Sequence, residues 1–196
     1  GNTTGTVNAA SVTSVTGTLA KLLTAYGSNG ITGLGNETIS VSDTGGGSSL
    51  AASDLNSLDS KTSGTITTAN GLVTLTGTVA ALNTAYGSAG LSIQGDDAIT
   101  ISDTTVDAEA LNNLNNYTSG VINAGTLTKL TGTLADVNVA FAADAASSAT
   151  ISGLDDQDIE LTDTNVLAAD LNTLTTYTAG TVDASTVAVM EGTVSA

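Results

Sequence analysis

The sequence has no cysteine, histidine, proline or tryptophan. Its cationic side chains are three lysines, Lys21, Lys61 and Lys129, and arginine is absent. Without cysteine the chain forms no disulfide and has no thiol chemistry. Carboxylates, hydroxyls and three lysines are the remaining agents for catalysis, and neither a nucleophile paired with a base nor a Walker-type phosphate loop can be recognised. The sequence therefore predicts that the protein is not an enzyme.

The charge balance excludes several classes of partner. The chain has 19 Asp and Glu residues and a formal net charge of -16. Binding to nucleic acid or to anionic lipid heads requires clustered Lys and Arg, so we expect neither partner. No window approaches the ~18 consecutive apolar residues of a membrane span. With 40% hydrophobic and 11% charged residues the composition is not that of a disordered chain.

The chain does have an internal repeat. Residues 75–86 echo residues 15–26 at a spacing of 60, and Ser42-Asp43-Thr44 returns at 102–104 and, as Thr-Asp-Thr, at 162–164. A fixed period of this size is typical of a stacked array.

Each period contains two related halves of about 29 residues. A threonine in each half follows glycine and aspartate alternately, as in Gly17-Thr18 and Asp43-Thr44, and we call the halves Gly-type and Asp-type half-repeats. Neither end carries a distinctive capping unit, which predicts a fragment of a longer array. The half-repeats lie near 5–29, 30–63, 64–89, 90–119, 120–149, 150–179 and, as a partial copy, 180–196.

A helix is predicted after each threonine. Val79, Leu82 and Tyr86 recur at i, i+3 and i+7, which is helical spacing. The threonine is a favourable N-cap, and a glycine after the run is a favourable C-cap. The predicted N-caps are Thr18, Thr44, Thr78, Thr104, Thr133, Thr164 and Thr193. The predicted C-caps include Gly27, Gly64, Gly120 and Gly180.

Before the threonine the two halves differ. In Asp-type half-repeats alternation such as Ile99 and Ile101 predicts a strand. In Gly-type half-repeats the apolar pair is three apart, which fits a helical turn or a bent strand. These pairs are Val12/Val15, Leu72/Leu75, Leu127/Leu130 and Val187/Met190.

The predicted fold class is therefore α/β, as a repeat solenoid with one short strand and one short helix per half-repeat. A right-handed parallel β-solenoid is the main alternative, and tandem all-β modules are the third. The partners expected for each half-repeat are its neighbours in the same chain, and uncapped ends would allow end-to-end or lateral self-association.

Calcium is the one cofactor that the sequence suggests. Acidic residues gather in the turn before each Asp-type strand, and Gly95-Asp96-Asp97-Ala98-Ile99 partly matches a calcium-binding nonapeptide core. Because calcium needs six to eight oxygen ligands and the match returns only once per period, solvated acidic turns are the competing interpretation. The candidate ligands are Glu37, Asp96, Asp97, Asp155, Asp156 and Asp158.

Three other polar or aromatic sets have structural interpretations. Asp43, Asp103 and Asp163 are interpreted as satisfying amides at a helix N-terminus rather than as ligands. Recurrent helix asparagines form either a ladder to buried backbone or an exposed row; they are Asn56, Asn83, Asn112, Asn138 and Asn172. The aromatic residues are interpreted as core or edge packing; they are Tyr26, Tyr86, Tyr117, Phe141 and Tyr177.

The segments 76–86, 30–37 and 42–44 resemble tandem repeats of giant cell-surface proteins of cyanobacteria and green sulfur bacteria. The resemblance implies secretion, a very long parent chain, and a role in adhesion, surface coating or surface-linked motility. The function expected is a structural segment of an extracellular or cell-surface protein, acting as spacer, coat or self-assembling scaffold. A calcium-dependent adhesin segment is one alternative. An ice-binding repeat is another, suggested by Thr74/Thr76 and Thr131/Thr133.

Overall fold

A computed structural model describes residues 4–43, 48–68 and 74–192. Within these ranges short parallel strands alternate with six helices, and the predicted α/β class is confirmed. None of these helices is long and apolar enough to cross a bilayer. The helices are α1 (Leu19–Tyr26), α2 (Ala52–Asp59), α3 (Val79–Gly87), α4 (Ala108–Tyr117), α5 (Leu134–Ala145) and α6 (Ala168–Leu174).

The described strands have two to four residues each. Those of the first three half-repeats are β1 (Val7–Asn8), β2 (Ser14–Gly17), β3 (Ile31–Thr32), β4 (Thr38–Val41), β5 (Ser49–Ala51), β6 (Ile66–Thr68) and β7 (Thr74–Gly77). Those of the next two are β8 (Leu91–Ser92), β9 (Ala98–Ile101), β10 (Thr105–Asp107), β11 (Ile122–Asn123) and β12 (Lys129–Gly132). The last are β13 (Ile151–Ser152), β14 (Asp158–Leu161), β15 (Asn165–Leu167), β16 (Val182–Asp183) and β17 (Val189–Glu191).

The prediction of one strand per half-repeat was wrong. Within the residues that the structure describes, each Gly-type half-repeat has two strands and each Asp-type half-repeat has three. The additional strands carry at most one buried apolar residue each, such as Val106 in β10 or Ile122 in β11. One apolar residue in a polar segment produces no alternation, so the period-two signal of a strand is missing. For the Gly-type pairs neither alternative describes both residues: Leu130 lies in β12, whereas Leu127 lies in a turn before it and donates its N–H to the Ala124 carbonyl at 2.9 Å.

The chain divides into two units, and the first comprises Gly1–Gly77 and Ala81–Ala98. In it β1 pairs with β3, β5 pairs with β7, and β2, β4, β6 and β8 form a sheet in that order. All of these pairs are parallel.

The second unit comprises Thr78–Ala80 and Ile99–Ala196. In it β9, β11 and β13 are neighbours, β15 pairs with β17, and β10, β12, β14 and β16 form a sheet in that order. These pairs are parallel as well.

The register of these ladders follows the sequence period. Ile122 in β11 pairs with Ile99 of the preceding half-repeat and with Ile151 of the following one. Each described pair likewise joins a strand to one in the next half-repeat. A parallel pair requires a crossover connection, and the rest of one half-repeat provides it. Successive half-repeats within each unit are hydrogen-bonded neighbours.

The core lies between the strands and the apolar faces of the helices. Leu55 and Leu58 in α2, Leu82 in α3, and Leu111 and Leu114 in α4 are all 0% exposed. These residues sit at the predicted helical spacing, so the periodicity identified the buried face correctly. Phe141 in α5 is buried as well, and its ring stacks on that of Tyr177 at 6.2 Å. Tyr117, by contrast, is 46% exposed at the end of α4.

Two predictions about helix ends were wrong for the Asp-type half-repeats. Thr104 and Thr164 precede strands β10 and β15, and the helices start only after these strands, with Asp107 and Leu167 as N-caps. Thr18 and Thr133 occupy the predicted N-cap position, and the Thr133 hydroxyl accepts a bond from the Asp136 N–H. Thr44, Thr193 and Leu72, named in the sequence predictions, lie outside the described residues.

The predicted glycine C-caps hold only in part. Gly27 is the C-cap of α1, but the C-caps of α2, α4 and α6 are Ser60, Thr118 and Thr175. Gly64 and Gly180 come several residues later, where a Cβ atom would collide with the carbonyl groups of Glu37 and Gln157. These two glycines are therefore required by a close approach of two backbone segments rather than by helix termination.

Candidate functional site: the junction between half-repeats

An aspartate from each Asp-type half-repeat caps the helix of the preceding Gly-type half-repeat. The Leu19 N–H donates to Asp43 Oδ2 at 2.6 Å, and the Val79 N–H donates to Asp103 Oδ2 at 2.8 Å. The third member of the set is Leu134 N–H to Asp163 Oδ2 at 2.6 Å. A carboxylate at this place satisfies an amide that has no partner inside the helix and lies at the positive end of the helix dipole.

The interpretation of these aspartates as helix caps is thus confirmed. The helix that each aspartate caps belongs to the preceding half-repeat. The bond spans 24 residues for Asp43 and 29 residues for Asp163. Sequence proximity pointed to the helix that follows, because a contact with an earlier half-repeat has no signature in the local pattern.

The alternation of glycine and aspartate has a structural cause. Gly77 and Gly132, which end strands β7 and β12, have φ of +154° and +145°, in the region that favours glycine. A Cβ on Gly132 would also lie 3.2 Å from the Ala108 Cβ. The Thr162 N–H donates to the Gly132 carbonyl at 3.0 Å, which places the next residue, Asp163, beside the start of α5. The glycine turn and the aspartate cap are therefore two parts of one junction.

Asparagines on the helices bridge to the following helix. Asn56 Nδ2 donates to the Ala81 carbonyl at 2.9 Å, and Asn112 Nδ2 donates to the Asp136 carbonyl at 2.9 Å. Asn138 makes the same kind of bond at 3.3 Å to a carbonyl of α6. The ladder interpretation is confirmed for these three, whereas Asn172 is exposed.

A turn that the sequence reasoning missed opens most half-repeats. A Ser or Thr hydroxyl accepts a bond from the N–H of the glycine two residues later, as in Thr62 and Gly64 at 3.0 Å. Such hydroxyl turns compete locally with regular structure and terminate it. The signal, Ser/Thr-x-Gly just before the first strand of these half-repeats, is visible in the sequence. The other pairs are Ser28/Gly30, Ser88/Gly90, Thr118/Gly120 and Thr178/Gly180, at 2.9 to 3.1 Å.

Threonine hydroxyls also connect adjacent half-repeats. Thr126 Oγ1 donates to the Ile101 carbonyl at 2.9 Å, and Thr186, one full period later, donates to the Leu161 carbonyl at 2.7 Å. Two threonines of the pairs that suggested ice binding act likewise. Thr76 bonds the Leu50 carbonyl at 3.4 Å and Thr131 bonds the Val106 carbonyl at 3.3 Å.

The candidate calcium ligands divide into buried and exposed residues. Glu37 and Asp97 are each 1% exposed, whereas Asp96, Asp155 and Asp156 are exposed. Among the described residues no group of three or more acidic side chains is arranged to hold a metal ion. Calcium binding stays a prediction.

The sixth candidate, Asp158, serves another junction. Its Oδ1 accepts bonds from the Thr181 hydroxyl at 2.7 Å and the Thr181 N–H at 2.9 Å, across from β14 to the next half-repeat. These bonds from Thr181, the hydroxyl first, hold the pKa of Asp158 below its usual value.

The buried carboxylate of Glu37 is satisfied mainly on one oxygen. Oε2 accepts from the Gly35 N–H and the Tyr26 hydroxyl at 2.8 Å each, and from the Asn36 N–H at 3.2 Å. Burial by itself would raise the pKa of Glu37, but these donors stabilise the anion and the net pKa is lowered. Burial, and then Glu37, raises the pKa of Tyr26.

The third period has an amide at the position of Glu37. Gln157, 2% exposed, donates through Nε2 to the Gly153 carbonyl at 2.8 Å and the Leu127 carbonyl at 3.3 Å. A neutral donor thus occupies the place that a carboxylate holds in the first two periods.

The surface charge is overwhelmingly negative. Lys129 Nζ lies 2.9 Å from Glu160 Oε2, with both side chains well exposed, and this carboxylate raises the pKa of Lys129. Exposed pairs of this kind add little stability.

No protein-family model, curated protein or solved structure matches the chain. The aspartate caps, the helix asparagine bonds and the threonine bonds described above recur along the chain, and they connect one half-repeat to the next.

Proposed function

We propose that the chain is a structural repeat segment of a large extracellular or cell-surface bacterial protein. In this proposal the half-repeats form an α/β solenoid that acts as a spacer, a coat or a self-assembling scaffold. The observation that carries the proposal is the set of aspartate caps, in which Asp43, Asp103 and Asp163 each hold the helix of the preceding half-repeat. A protein whose polar side chains recur as connectors between copies is suited to extension rather than to catalysis.

The short elements support the same role. Helices as short as α6 and strands as short as β16 are marginal in isolation. Each half-repeat therefore depends on its neighbours for burial and for hydrogen bonding. Stability of this kind grows with the number of copies, which suits a long array.

The composition fits an exposed location. A net charge of -16 disfavours nonspecific association with other acidic macromolecules and surfaces. Recurrent hydroxyls such as those of Thr126 and Thr186 are engaged in bonds between half-repeats, so the proposal assigns them no catalytic role.

The location is tested on the bacterium that produces the protein. Antibodies raised against the chain should label intact cells, and mild protease treatment of intact cells should remove the label while a cytoplasmic marker survives. Labelling that requires permeabilised cells would contradict the proposal.

A further inference from the structure

An asparagine followed by a glycine lies in the turn that opens the second half-repeat. Asn29 and Gly30 are the central residues of this turn, which is closed by the Ile31 N–H donating to the Ser28 carbonyl at 3.4 Å. Both central residues are exposed. Asparagine is one of the thermally labile side chains of proteins. It reacts fastest before glycine, because the attacking atom is the backbone nitrogen of the next residue and a side chain there hinders the approach.

The peptide bond between Asn29 and Gly30 is open to this attack. Among the described residues, a Cβ atom on Gly30 would meet the Ser28 Oγ alone, at an ordinary 3.5 Å. At Gly64, which holds the same position in the turn that opens the third half-repeat, a Cβ would collide with the Glu37 carbonyl. A neighbouring backbone segment therefore encloses the turn at Gly64 but not the turn at Gly30.

Few bonds hold the reacting groups in place. Within the described part of the chain the Asn29 side chain makes no hydrogen bond. The Gly30 N–H donates to the Ser28 hydroxyl at 3.1 Å, a local bond that rotation of one side chain breaks. Because Asn29 lies outside β3, its side-chain amide can turn toward the Gly30 nitrogen without the loss of any strand pairing.

We propose that Asn29 is a site of spontaneous covalent modification, at which the folded chain converts asparagine to aspartate and isoaspartate. The reaction needs water and no enzyme or cofactor. The site takes no part in the proposed structural function, so this inference stands or falls independently of where the protein is located.

The reaction proceeds through a ring. The Gly30 nitrogen loses its proton to solvent hydroxide and attacks Cγ of Asn29, and a new N–C bond forms. The bond from Cγ to Nδ2 breaks, and Nδ2 takes up a proton from water and leaves as ammonia, so that a five-membered succinimide remains. Water then adds to one ring carbonyl and breaks its bond to the Gly30 nitrogen. Opening at Cγ gives aspartate, and opening at the main-chain carbonyl gives isoaspartate.

No other asparagine in the described ranges is followed by glycine. Asn36 is exposed in a loop, but Glu37 follows it. Asn56 lies in a helix, and its Nδ2 is bound to the Ala81 carbonyl at 2.9 Å. A second Asn-Gly pair, at 70–71, lies outside the described residues. Asn36 and Asn56 therefore serve as internal standards for the reaction at Asn29.

The two products differ in their effect on the neighbouring strands. Aspartate keeps the backbone and adds one negative charge to the net charge of -16. Isoaspartate adds a methylene group to the main chain just before the Gly30 nitrogen. The Gly30 carbonyl accepts a 2.8 Å bond from the Val7 N–H, and Ile31 pairs with Val7. Isoaspartate therefore displaces the start of β3 and loosens the pairing between the first and second half-repeats.

Peptide mapping tests the site directly. Trypsin cleaves after lysine, so the peptide 22–61 contains Asn29, Asn36 and Asn56, whereas Asn70 falls in another peptide. The folded full-length protein is incubated at mildly alkaline pH, and the products are located by fragmentation in a mass spectrometer. We expect Asn29 to convert at least tenfold faster than Asn36 and Asn56, with isoaspartate among the products. Conversion no faster than that of Asn36, or aspartate without isoaspartate, overturns the proposal.

The variant Gly30→Ala tests the ring closure. Its Cβ makes an ordinary contact with Ser28 and leaves the turn intact, but it hinders the approach of the nitrogen to Cγ of Asn29. We expect conversion of Asn29 to slow at least fivefold. An unchanged rate overturns attack by the Gly30 nitrogen.

The repeat itself supplies the matched control. Asn29→Ala reproduces the sequence Ser88-Ala89-Gly90, whose turn is closed by the same bond, from the Leu91 N–H to the Ser88 carbonyl at 3.4 Å. The fast conversion in the peptide 22–61 should disappear in this variant. A fast conversion that persists would belong to another asparagine and would overturn the assignment to Asn29.

The openness of the turn is tested by comparing the folded with the unfolded protein. If the turn leaves the peptide bond accessible, Asn29 should convert in the folded chain at no less than a third of its rate in concentrated urea. A folded rate below a tenth of the urea rate would show that the fold protects Asn29, and would overturn the proposal.

The effect on the strands is measured by amide hydrogen exchange at Val7. The isoaspartate form, purified from the aged protein, is compared with freshly prepared Asn29→Asp, which has the same charge and an ordinary backbone. We expect faster exchange at Val7 in the isoaspartate form, because its bond to the Gly30 carbonyl is displaced. Equal exchange in the two proteins overturns the assigned effect on the pairing of β1 with β3.

Discussion

The hydroxyl of Tyr26 donates a 2.8 Å hydrogen bond to Oε2 of Glu37 across the turn that opens the second half-repeat. In the third period the same two positions carry Phe141 and Gln157, so the hydroxyl donor and the carboxylate acceptor are lost together. A buried carboxylate that loses a donor is penalised, whereas the Gln157 amide donates to nearby carbonyls instead. The two substitutions compensate each other physically.

The first prediction follows from this compensation. Tyr26→Phe should lower the free energy of unfolding by about 1–2 kcal/mol, because the charged oxygen of Glu37 loses one of its donors. The double variant Tyr26→Phe with Glu37→Gln, which resembles the third period, should lose less unfolding free energy than the sum of the losses in the two single variants. Urea denaturation of the four proteins measures the coupling. Tyr177→Phe is the control, since among the described residues its hydroxyl has no hydrogen bond, and strict additivity of the pair would contradict the prediction.

The second prediction concerns pH. The pKa of Glu37 is lower in the folded chain than in the unfolded chain. As the pH falls, Glu37 is therefore protonated in the unfolded chain before it is protonated in the folded chain. The carboxylate therefore stabilises the fold fully above the ordinary Glu pKa of about 4.3, and this stability disappears as the pH drops through the lowered value. The difference in unfolding free energy between the wild type and Glu37→Gln should shrink from pH 6 to pH 3, as measured by urea midpoints. Other carboxylates with a shifted pKa, such as Asp158, are present in both proteins, so their contributions cancel in the difference. If the unfolding free energies of the two proteins change with pH in parallel, the stabilising role of the Glu37 carboxylate is contradicted.

The third prediction tests the cap between half-repeats. Asp103→Ala should destabilise the protein by about 1 kcal/mol, because the Val79 N–H loses its acceptor at the start of α3. Amide hydrogen exchange should quicken at Val79, 24 residues before the substitution. Asp96→Ala removes an exposed aspartate and should change stability by no more than about 0.5 kcal/mol. Unchanged exchange at Val79 in Asp103→Ala would show that the cap has no energetic role.

These contacts also show where sequence reasoning stops. The helices were predictable because apolar residues such as Leu111 and Leu114 recur at helical spacing. Strand β9 was predictable because Ile99 and Ile101 alternate with polar residues. Strand β10 was not predictable, since its one buried side chain is Val106. A single residue has no period.

The cap partner was equally hidden. Asp103 precedes a threonine in sequence, which suggested the following helix, but the fold brings Val79 against it from the previous half-repeat. The contact between Asp103 and Val79, which are far apart in sequence, can be inferred only once each strand is known to pair with a strand of the next half-repeat. The calcium candidates illustrate the same limit, because sequence cannot tell buried Glu37 from exposed Asp96.

The fourth prediction compares two glycines of the same repeat position. At Gly132 the φ of +145° and the nearby Ala108 Cβ make any side chain strained. At Gly17 a Cβ would meet Leu22 side-chain atoms at an ordinary 3.6 Å. Gly132→Ala should therefore lose about 1–3 kcal/mol more than Gly17→Ala in urea denaturation. Equal losses would mean that the turn relaxes to an ordinary conformation.

The fifth prediction separates solvated turns from calcium sites. Asp96, Asp155 and Asp156 are exposed, and Oε2 of Glu37 already accepts three bonds from the chain. In the third period the buried position carries Gln157, which directs its Nε2 to carbonyl oxygens and would bring a donor rather than a carboxylate to a cation. Calcium favours clusters of six to eight oxygens, so we expect the melting temperature to stay within about 1 °C when EDTA is replaced by millimolar calcium.

The matched variant for this measurement is Asp155→Asn with Asp156→Asn, which removes two charges from one turn. If the turns are merely solvated, this protein and the wild type should respond alike to calcium, magnesium and added monovalent salt, because only screening is involved. A rise of several degrees with calcium, absent with magnesium and lost in the variant, would instead establish a site at Asp155 and Asp156 and favour the calcium-dependent adhesin over a plain spacer.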